Sequence, residues 1–414
     1  MTFAYASRSE LRDGDQQAEL GLATTAPSTF VDGFVERADV VSAALLAVGR
    51  VAATRFYTVM SASKLAELTD PIITTGDGRV RFESLSACCG VAARLDLLPS
   101  GLDAGEHVSG TTNVDLGPRM RQLLGGVLRH DPMRVRVGEA GLEIRTLAGQ
   151  AHERRVALPE RWVRSLAELQ VLAGGMSLRF ELDQREVRLL FRSIPRRTPP
   201  HGFFWVHRAP GGLRFGATAQ PGAVAVGGPE RLLAIEPVLR HATRLRVYAP
   251  VGDGPAASWW ALELPHARLG LGLSPETSRG FSGEGALLLD LASGSPDAYL
   301  AAAGQLGYDL ADGGYFARPL PFGRDVLQGH PRLDKAERLV AEGGVRTEGD
   351  HLVVRGTRFD HVVRLGPTPT CTCRWFADHG ASRGPCAHVL AARVFAEPAL
   401  SRVVPGSGSR VGAP

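Results

Sequence analysis

Four potential metal ligands lie within eighteen residues near the C-terminus of this 414-residue chain. Cys371, Cys373, Cys386 and His388 form the pattern C-x-C, twelve residues, C-x-H. Zinc in structural sites takes four ligands in a tetrahedron, and three thiolates with one imidazole form a closed set. The pattern therefore predicts one structural Zn2+. His379 is the alternative nitrogen ligand, but it lacks the C-x-H spacing and is interpreted as a loop residue.

The residues around the ligands predict local structure that can bring them together. Residues 351–355 and 361–365 alternate as the strands of a hairpin, and the second strand leads into Cys371. Gly384 and Pro385 precede a predicted helix over 386–395. The first ligand of that helix lies at its N-terminus, where the helix dipole favours a thiolate. A module of about fifty residues has little core, so metal-coupled folding, on the order of 10 kcal/mol, would matter to it.

This ligand pattern, after a hairpin and before a helix, resembles the SWIM zinc finger over about residues 346–396. All four metal positions match the family. Arg374 stands where the family often has a proline, and Ala387 stands where it often has a basic residue. The resemblance implies a module for protein or DNA interaction, and the missing basic residue weakens the implication for DNA.

Upstream segments are similar to those of uncharacterised bacterial SWIM proteins of about this length. The recognisable segments are residues 82–90, 110–115 and 279–285. The resemblance implies two partners, a MoxR-type AAA ATPase and a von Willebrand A-domain protein, because such proteins resemble components of systems that contain both.

Composition excludes several other classes of protein. Five cysteines are too few and too unevenly placed for a disulfide-stapled secreted scaffold. The adjacent Cys88 and Cys89 are interpreted as buried strand residues. Residues 1–30 lack the features of a signal peptide, and the most apolar stretch, 40–48, is too short to span a membrane. We therefore expect a cytoplasmic protein with no membrane partner.

The rest of the chain predicts a mixed α+β organisation with internal repetition. Residues 114–146 and 224–264 both indicate a strand, a proline-started helix and two further strands, and segments 39–85 and 178–216 share this form. Four such units predict repeated βαββ-like units, with helices on one face of a sheet. This arrangement is similar at the level of fold to DNA sliding clamps, although a repeated scaffold unrelated to them is favoured.

Five segments summarise the predicted organisation. They are a flexible N-terminus (1–30), an α+β repeat region (31–316), a helical connector (317–345), the zinc module (346–396) and a flexible tail (397–414).

One basic stripe stands out in a chain whose formal net charge is only +4. Arg185, Arg188 and Arg192 align opposite the apolar side of a predicted helix, and Arg196 and Arg197 follow. A solvated helix face is the favoured interpretation, because nearby acidic residues dilute the charge. If the chain binds nucleic acid or an acidic partner, this stripe is the expected site.

The sequence contains no P-loop, zinc-protease or serine-hydrolase motif. We therefore expect a non-enzymatic protein-interaction scaffold with a zinc-held docking module. The alternative is nucleic-acid binding by the finger, the arginine stripe or a clamp-like repeat region. An enzyme with an unrecognised site is the least favoured class.

Overall fold

The computed structural model describes residues 10–13, 18–21, 29–54, 71–158, 160–196, 202–252, 254–277, 280–281, 305–318, 331–366, 369–379 and 384–396. These residues contain twenty-four strands in six antiparallel sheets, together with seven α-helices.

The first twelve strands are β1 (Glu10–Asp13), β2 (Ala18–Gly21), β3 (Thr29–Val35), β4 (Ile72–Gly76), β5 (Arg79–Leu85), β6 (Val91–Leu97), β7 (Leu102–His107), β8 (Gly110–Asn113), β9 (Arg134–Gly138), β10 (Gly141–Thr146), β11 (Gly149–Arg154) and β12 (Ser177–Asp183). The other twelve are β13 (Phe203–Ala209), β14 (Gly212–Gly216), β15 (Val224–Gly227), β16 (Arg244–Ala249), β17 (Ser258–Leu264), β18 (Ala267–Leu273), β19 (Leu306–Asp309), β20 (Gly314–Ala317), β21 (Val345–Glu348), β22 (His351–Val354), β23 (His361–Arg364) and β24 (Thr370–Cys371).

The α-helices are α1 (Ala38–Ala53), α2 (Pro118–Gly125), α3 (Glu160–Gly174), α4 (Gln184–Arg192), α5 (Pro331–Ala341), α6 (Arg374–His379) and α7 (Ala387–Ala396). Two 3-10 helices cover Pro99–Gly101 and Pro229–His241.

Four units, each of one strand, one helix and two or more further strands, build the large repeat body. Their helices are, in chain order, α1, α2, α4 and the 3-10 helix Pro229–His241. The first strand of each unit pairs with a strand of the neighbouring unit. Strand β3 of the first unit pairs with β9 of the second, and β8 of the second unit pairs with β4 of the first. The third and fourth units exchange strands in the same way, because β12 pairs with β16 and β15 pairs with β13. A strand–helix–strands pattern recurs as the sequence predicted, but in several sheets where one sheet was predicted. Two strands, β13 and β14, follow α4 as expected, whereas three or more follow the other three helices.

An eight-stranded sheet in the order β12-β16-β17-β18-β6-β5-β4-β8 joins the first and fourth units. The seam is the antiparallel pair β6–β18, which matches seven residues on each strand. One face of this sheet packs on α1, whose predicted apolar side (Val41, Leu45, Val48) is buried. Residues of α3, including Trp162, join the apolar cluster formed with Trp259 of β17. Helix α3 was not predicted, although Trp162, Leu166 and Leu169 have helical spacing.

The face of the sheet opposite α1 carries charges in register. Directly paired residues of neighbouring strands share one face of a sheet. Opposite charges therefore alternate across the strands, and a slip of one residue would place each of them on the apolar face. The row runs, from β8 to β12, through Thr111, Thr74, Arg81, Asp96, Arg268, Glu263, Arg244 and Asp183.

Residues 305–318 lie on this charged face as the hairpin β19–β20. The carboxylate of Asp309 is 3.1 Å from Arg79 and 3.3 Å from Arg268, and it also faces Arg94. Burial by itself would raise the pKa of Asp309, but Arg94 and Arg268 outweigh burial and lower it. The hairpin is thus held to the sheet by an ionised carboxylate among arginines.

Two local predictions need correction. The helix predicted after Pro229 is a 3-10 helix, and Pro237 lies inside it; proline lacks the N–H that an α-helix needs there. Cys88 and Cys89 lie in the turn between β5 and β6 and not on a strand. The N–H of Cys89 donates to the carbonyl of Ser86, and a φ of 55° at Cys89 excludes extended backbone. Cys89 is buried as expected, whereas Cys88 is partly exposed.

Residues 331–396 form a second core around a four-stranded sheet in the order β21-β22-β23-β24. The predicted hairpin is confirmed as β22–β23, and the predicted C-terminal helix is confirmed as α7. Helix α7 packs on this sheet, and α5, which lies in the predicted connector, packs on α7. Helix α5 is therefore part of this core.

The structure describes part of the predicted N-terminal segment and none of the predicted C-terminal tail. The segment predicted as a flexible N-terminus contains the hairpin β1–β2. The predicted tail 397–414 lies outside the described residues. Of the helices that the structure describes, none is both long and apolar enough to cross a membrane.

Arg318, which ends the β19–β20 hairpin, provides a test of its anchoring. Its side chain is fully buried, and Nη1 donates to both carboxylate oxygens of Glu83 at 2.9 and 3.1 Å. We expect Arg318→Met to lower the free energy of unfolding in urea by about 3–5 kcal/mol, because a buried carboxylate loses its counter-charge. The double variant Arg318→Met/Glu83→Leu should recover most of that loss.

Arg145→Met is the matched control, because it removes an exposed pair with Glu143 in the same repeat body. Its effect should stay below about 1 kcal/mol. If Arg318→Met costs no more than Arg145→Met, the Arg318–Glu83 pair does not anchor the hairpin.

Candidate metal centre

The pairing of β23 with β24 positions the segment that carries the first two cysteines of the candidate metal centre. Val363 of β23 pairs with Cys371 of β24, so the sheet fixes the position of this thiol. Cys373 follows at the start of α6. The backbone N–H of Cys373 donates to Sγ of Cys371 at 3.5 Å, and the N–H of Phe376 donates to Sγ of Cys373 at 3.3 Å. Each of these hydrogen bonds lowers the pKa of the thiol that accepts it, although burial and the neighbouring Cys386 outweigh the effect.

Helix α7 supplies the other two ligands from its first turn. Cys386 immediately precedes the helix, and its carbonyl accepts the N–H of Leu390 at 3.1 Å. The prediction of a cysteine at a helix N-terminus is thereby confirmed. His388 lies two residues later, inside the helix.

The four predicted ligands meet in one buried cluster. Their ligand atoms all lie within 4.8 Å of one another. Sγ of Cys371 is 4.0 Å from Nδ1 of His388, and all four residues are at least nine-tenths buried. A tetrahedral zinc ion with bonds of about 2.0–2.3 Å holds its ligands roughly 3.8 Å apart. The cluster therefore has the size and the donor set for one metal ion, and three thiolates with an imidazole are donors that zinc prefers.

The pKa values of the three thiols in the cluster explain why a cation fits there. The hydrogen bond between Cys371 and Cys386 lowers the pKa of Cys386 to about 4, although burial opposes this effect. The same bond and burial raise the pKa of Cys371, and burial raises that of Cys373. Three buried thiolates repel one another unless a cation stands between them. A divalent metal ion would replace the shared protons.

His361, which the sequence did not single out, packs against the histidine ligand. The two rings lie 4.4 Å apart between centroids, and Nε2 of His388 is buried without a hydrogen-bond partner. Burial lowers the pKa of His361, and the neighbouring imidazole lowers it further. Sequence spacing gave no signal for this contact, because it depends on how α7 packs on β23.

Arg332 of α5 connects the two ligand-bearing segments. Its Nη1 donates to the carbonyl of Pro385, which precedes Cys386, at 3.0 Å. Its guanidinium also lies 4.7 Å from the centre of the Trp375 ring, two residues after Cys373. Helix α5 is thus attached at the metal centre and is more than a connector.

The structure also places the other predicted residues. His379 is the last residue of α6 and is not in the cluster of four. Arg185, Arg188 and Arg192 lie exposed on α4, and Arg196 lies exposed beyond it. Arg197 falls outside the described residues.

Trp259 and Trp260, adjacent on β17, are both buried. The ring of Trp259 covers Gly270 and Gly272 on the neighbouring strand, and a Cβ added at Gly270 would lie 2.2 Å from it. The tryptophans therefore form part of the core.

The chain matches no protein-family model and no curated protein. Among solved structures, it is similar to the proliferating cellular nuclear antigen of Entamoeba histolytica, with 8% identity and a TM-score of 0.40. It is also similar to a chain of the PCNA2–PCNA3 complex of Sulfolobus tokodaii, with 7% identity and a TM-score of 0.41. Each match covers 60% of this chain and all of the other.

We predict that Cys386→Ser releases the metal, because serine cannot supply the fourth soft ligand. Elemental analysis of the wild-type protein should find about one zinc per chain, and the variant should lose it together with the fold of residues 331–396. Cys88→Ser is the matched control, since Cys88 lies in the repeat body, and it should keep full zinc. A metal-free wild-type protein with a folded C-terminal core would contradict the zinc assignment.

Proposed function

We propose that this protein is a non-enzymatic interaction scaffold whose C-terminal module is a SWIM-type finger held by one structural zinc ion. The observation that carries the proposal is the buried set of four protein ligands. A metal with four protein ligands has no open position for water or substrate, so it cross-links the chain. A hairpin before the first cysteine pair and a helix after the last pair support the SWIM assignment.

The turn between β22 and β23 presents an exposed surface of the module. Phe359 in this turn is 78% exposed, and Arg358 beside it is also exposed. Aromatic and arginine side chains are the residue types that contribute most to protein interfaces. The zinc centre fixes this turn indirectly, since β23 pairs with the strand that carries Cys371.

The partners that we propose are a MoxR-type AAA ATPase and a von Willebrand A-domain protein, in the cytoplasm. The resemblance to bacterial SWIM proteins supports this pair. Binding to either partner should require the folded zinc module and the exposed turn.

Titration calorimetry with the two purified partners from the same genome tests the proposal. We expect the wild-type chain to bind at least one of them, Cys386→Ser to abolish binding, and Phe359→Ser to weaken binding at least tenfold with zinc retained. Leu147→Ser removes an equally exposed apolar side chain from the repeat body and should change nothing.

Two results would reject parts of the proposal. If the zinc-loaded chain binds neither partner, the partner assignment is wrong. If binding survives the loss of zinc, the finger is not the docking module.

A further inference from the structure

The third repeat unit of this protein is strongly basic. Residues 177–216 contain eight arginines and three acidic residues, whereas the whole chain has a formal net charge of only +4. The unit comprises β12, α4, β13 and β14. The unit therefore carries a formal net charge of +5, which exceeds that of the whole chain.

The three acidic residues of this unit are already engaged in the fold. Glu181 pairs with Arg244 and Arg246 of the neighbouring strand β16. Asp183 caps α4 by accepting the N–H of Glu186 at 2.8 Å. The carboxylate of Glu186 accepts the N–H of Asp183 and pairs with Arg208. In the folded protein, these acidic residues therefore offset the positive charge of the arginine stripe less than the sequence suggests.

The arginines of α4 are exposed, and they form no ion pair in the described part of the chain. Arg185, Arg188 and Arg192 lie on one stripe, because Val187, Leu190 and Phe191 are buried on the opposite side of the helix. At 1.5 Å per residue the stripe is about 10 Å long. Arg196 continues the exposed charge beyond the end of the helix.

The surface suits a phosphate backbone better than an acidic protein. Each strand of a nucleic-acid duplex carries one phosphate per roughly 3.4 Å of axis, so the stripe of about 10 Å spans about three phosphates of one strand. The only aromatic residue of α4, Phe191, is buried, and Leu189 is its one exposed large apolar residue. The helix therefore offers neither an aromatic anchor for a protein interface nor a stacking platform for single-stranded bases.

We propose that the exposed arginine stripe of α4 binds the backbone of double-stranded nucleic acid without regard to sequence. Arg185, Arg188 and Arg192 each contact phosphate, and Arg196 extends the site. This activity belongs to the repeat body and is independent of the zinc module, so it goes beyond the proposed scaffold function.

Fluorescence anisotropy with a labelled duplex of about thirty base pairs tests this site. The affinity of the full chain should fall steeply between about 50 and 200 mM salt, with a log–log slope of about −0.9 per phosphate contacted. The triple variant Arg185→Gln/Arg188→Gln/Arg192→Gln should bind at least about tenfold more weakly at the lower salt, and its slope should be less negative by about 3. The single variant Arg188→Glu should also weaken duplex binding, and it changes only one residue.

The control is Arg134→Gln/Arg136→Gln/Arg145→Gln, which removes the same charge from the five-stranded sheet. Those arginines are similarly exposed but are paired with Asp32 or Glu143. The control and Cys386→Ser should both bind the duplex like the wild type.

Four results would overturn the proposal: no detectable duplex binding by the wild type at low salt, equal losses in both triple variants, equal displacement of the duplex by polyglutamate of the same charge, and tighter binding of a single strand than of the duplex. Equal displacement would identify the stripe as a surface for acidic proteins.

Discussion

The antiparallel seam between β6 and β18 is the interaction on which the repeat body depends, because it joins the first and fourth units in one sheet. The charged row across this sheet fixes its register. Arg81, Asp96, Arg268 and Glu263 follow one another on successive strands, so a slip of one residue would turn every charge toward the apolar face. The same charges then hold Asp309 and, with it, the hairpin β19–β20.

The two cores are stabilised by different physical means. The repeat body is large enough to bury a continuous apolar cluster, and its ionic contacts mainly specify which strands pair. The C-terminal core is small, and its candidate cysteine ligands, Cys371, Cys373 and Cys386, belong to the same buried cluster as its aliphatic residues. A metal ion at this point would contribute a large share of the stability of the module.

Local patterns in the sequence predicted most of the helices and strands that they covered. The apolar spacing of α1 and α4, the hairpin β22–β23 and the helix after Cys386 are all confirmed. The predictions were wrong where a single proline or a backbone dihedral angle sets the local conformation. Pro237 converts a predicted α-helix into a 3-10 helix, and the positive φ of Cys89 makes a turn where a strand was expected.

The sequence by itself determined the candidate ligand set, since three thiols and one imidazole at C-x-C and C-x-H spacing need only a hairpin and a helix to meet, and both are local structures. Only the tertiary structure decided the reciprocal exchange of first strands between repeat units, the contact of Arg332 with the metal centre and the pairing of Glu181 and Glu186 away from the arginine stripe. These contacts join residues from separate strands and helices. Their partners are therefore set by packing and register, which no short stretch of sequence encodes.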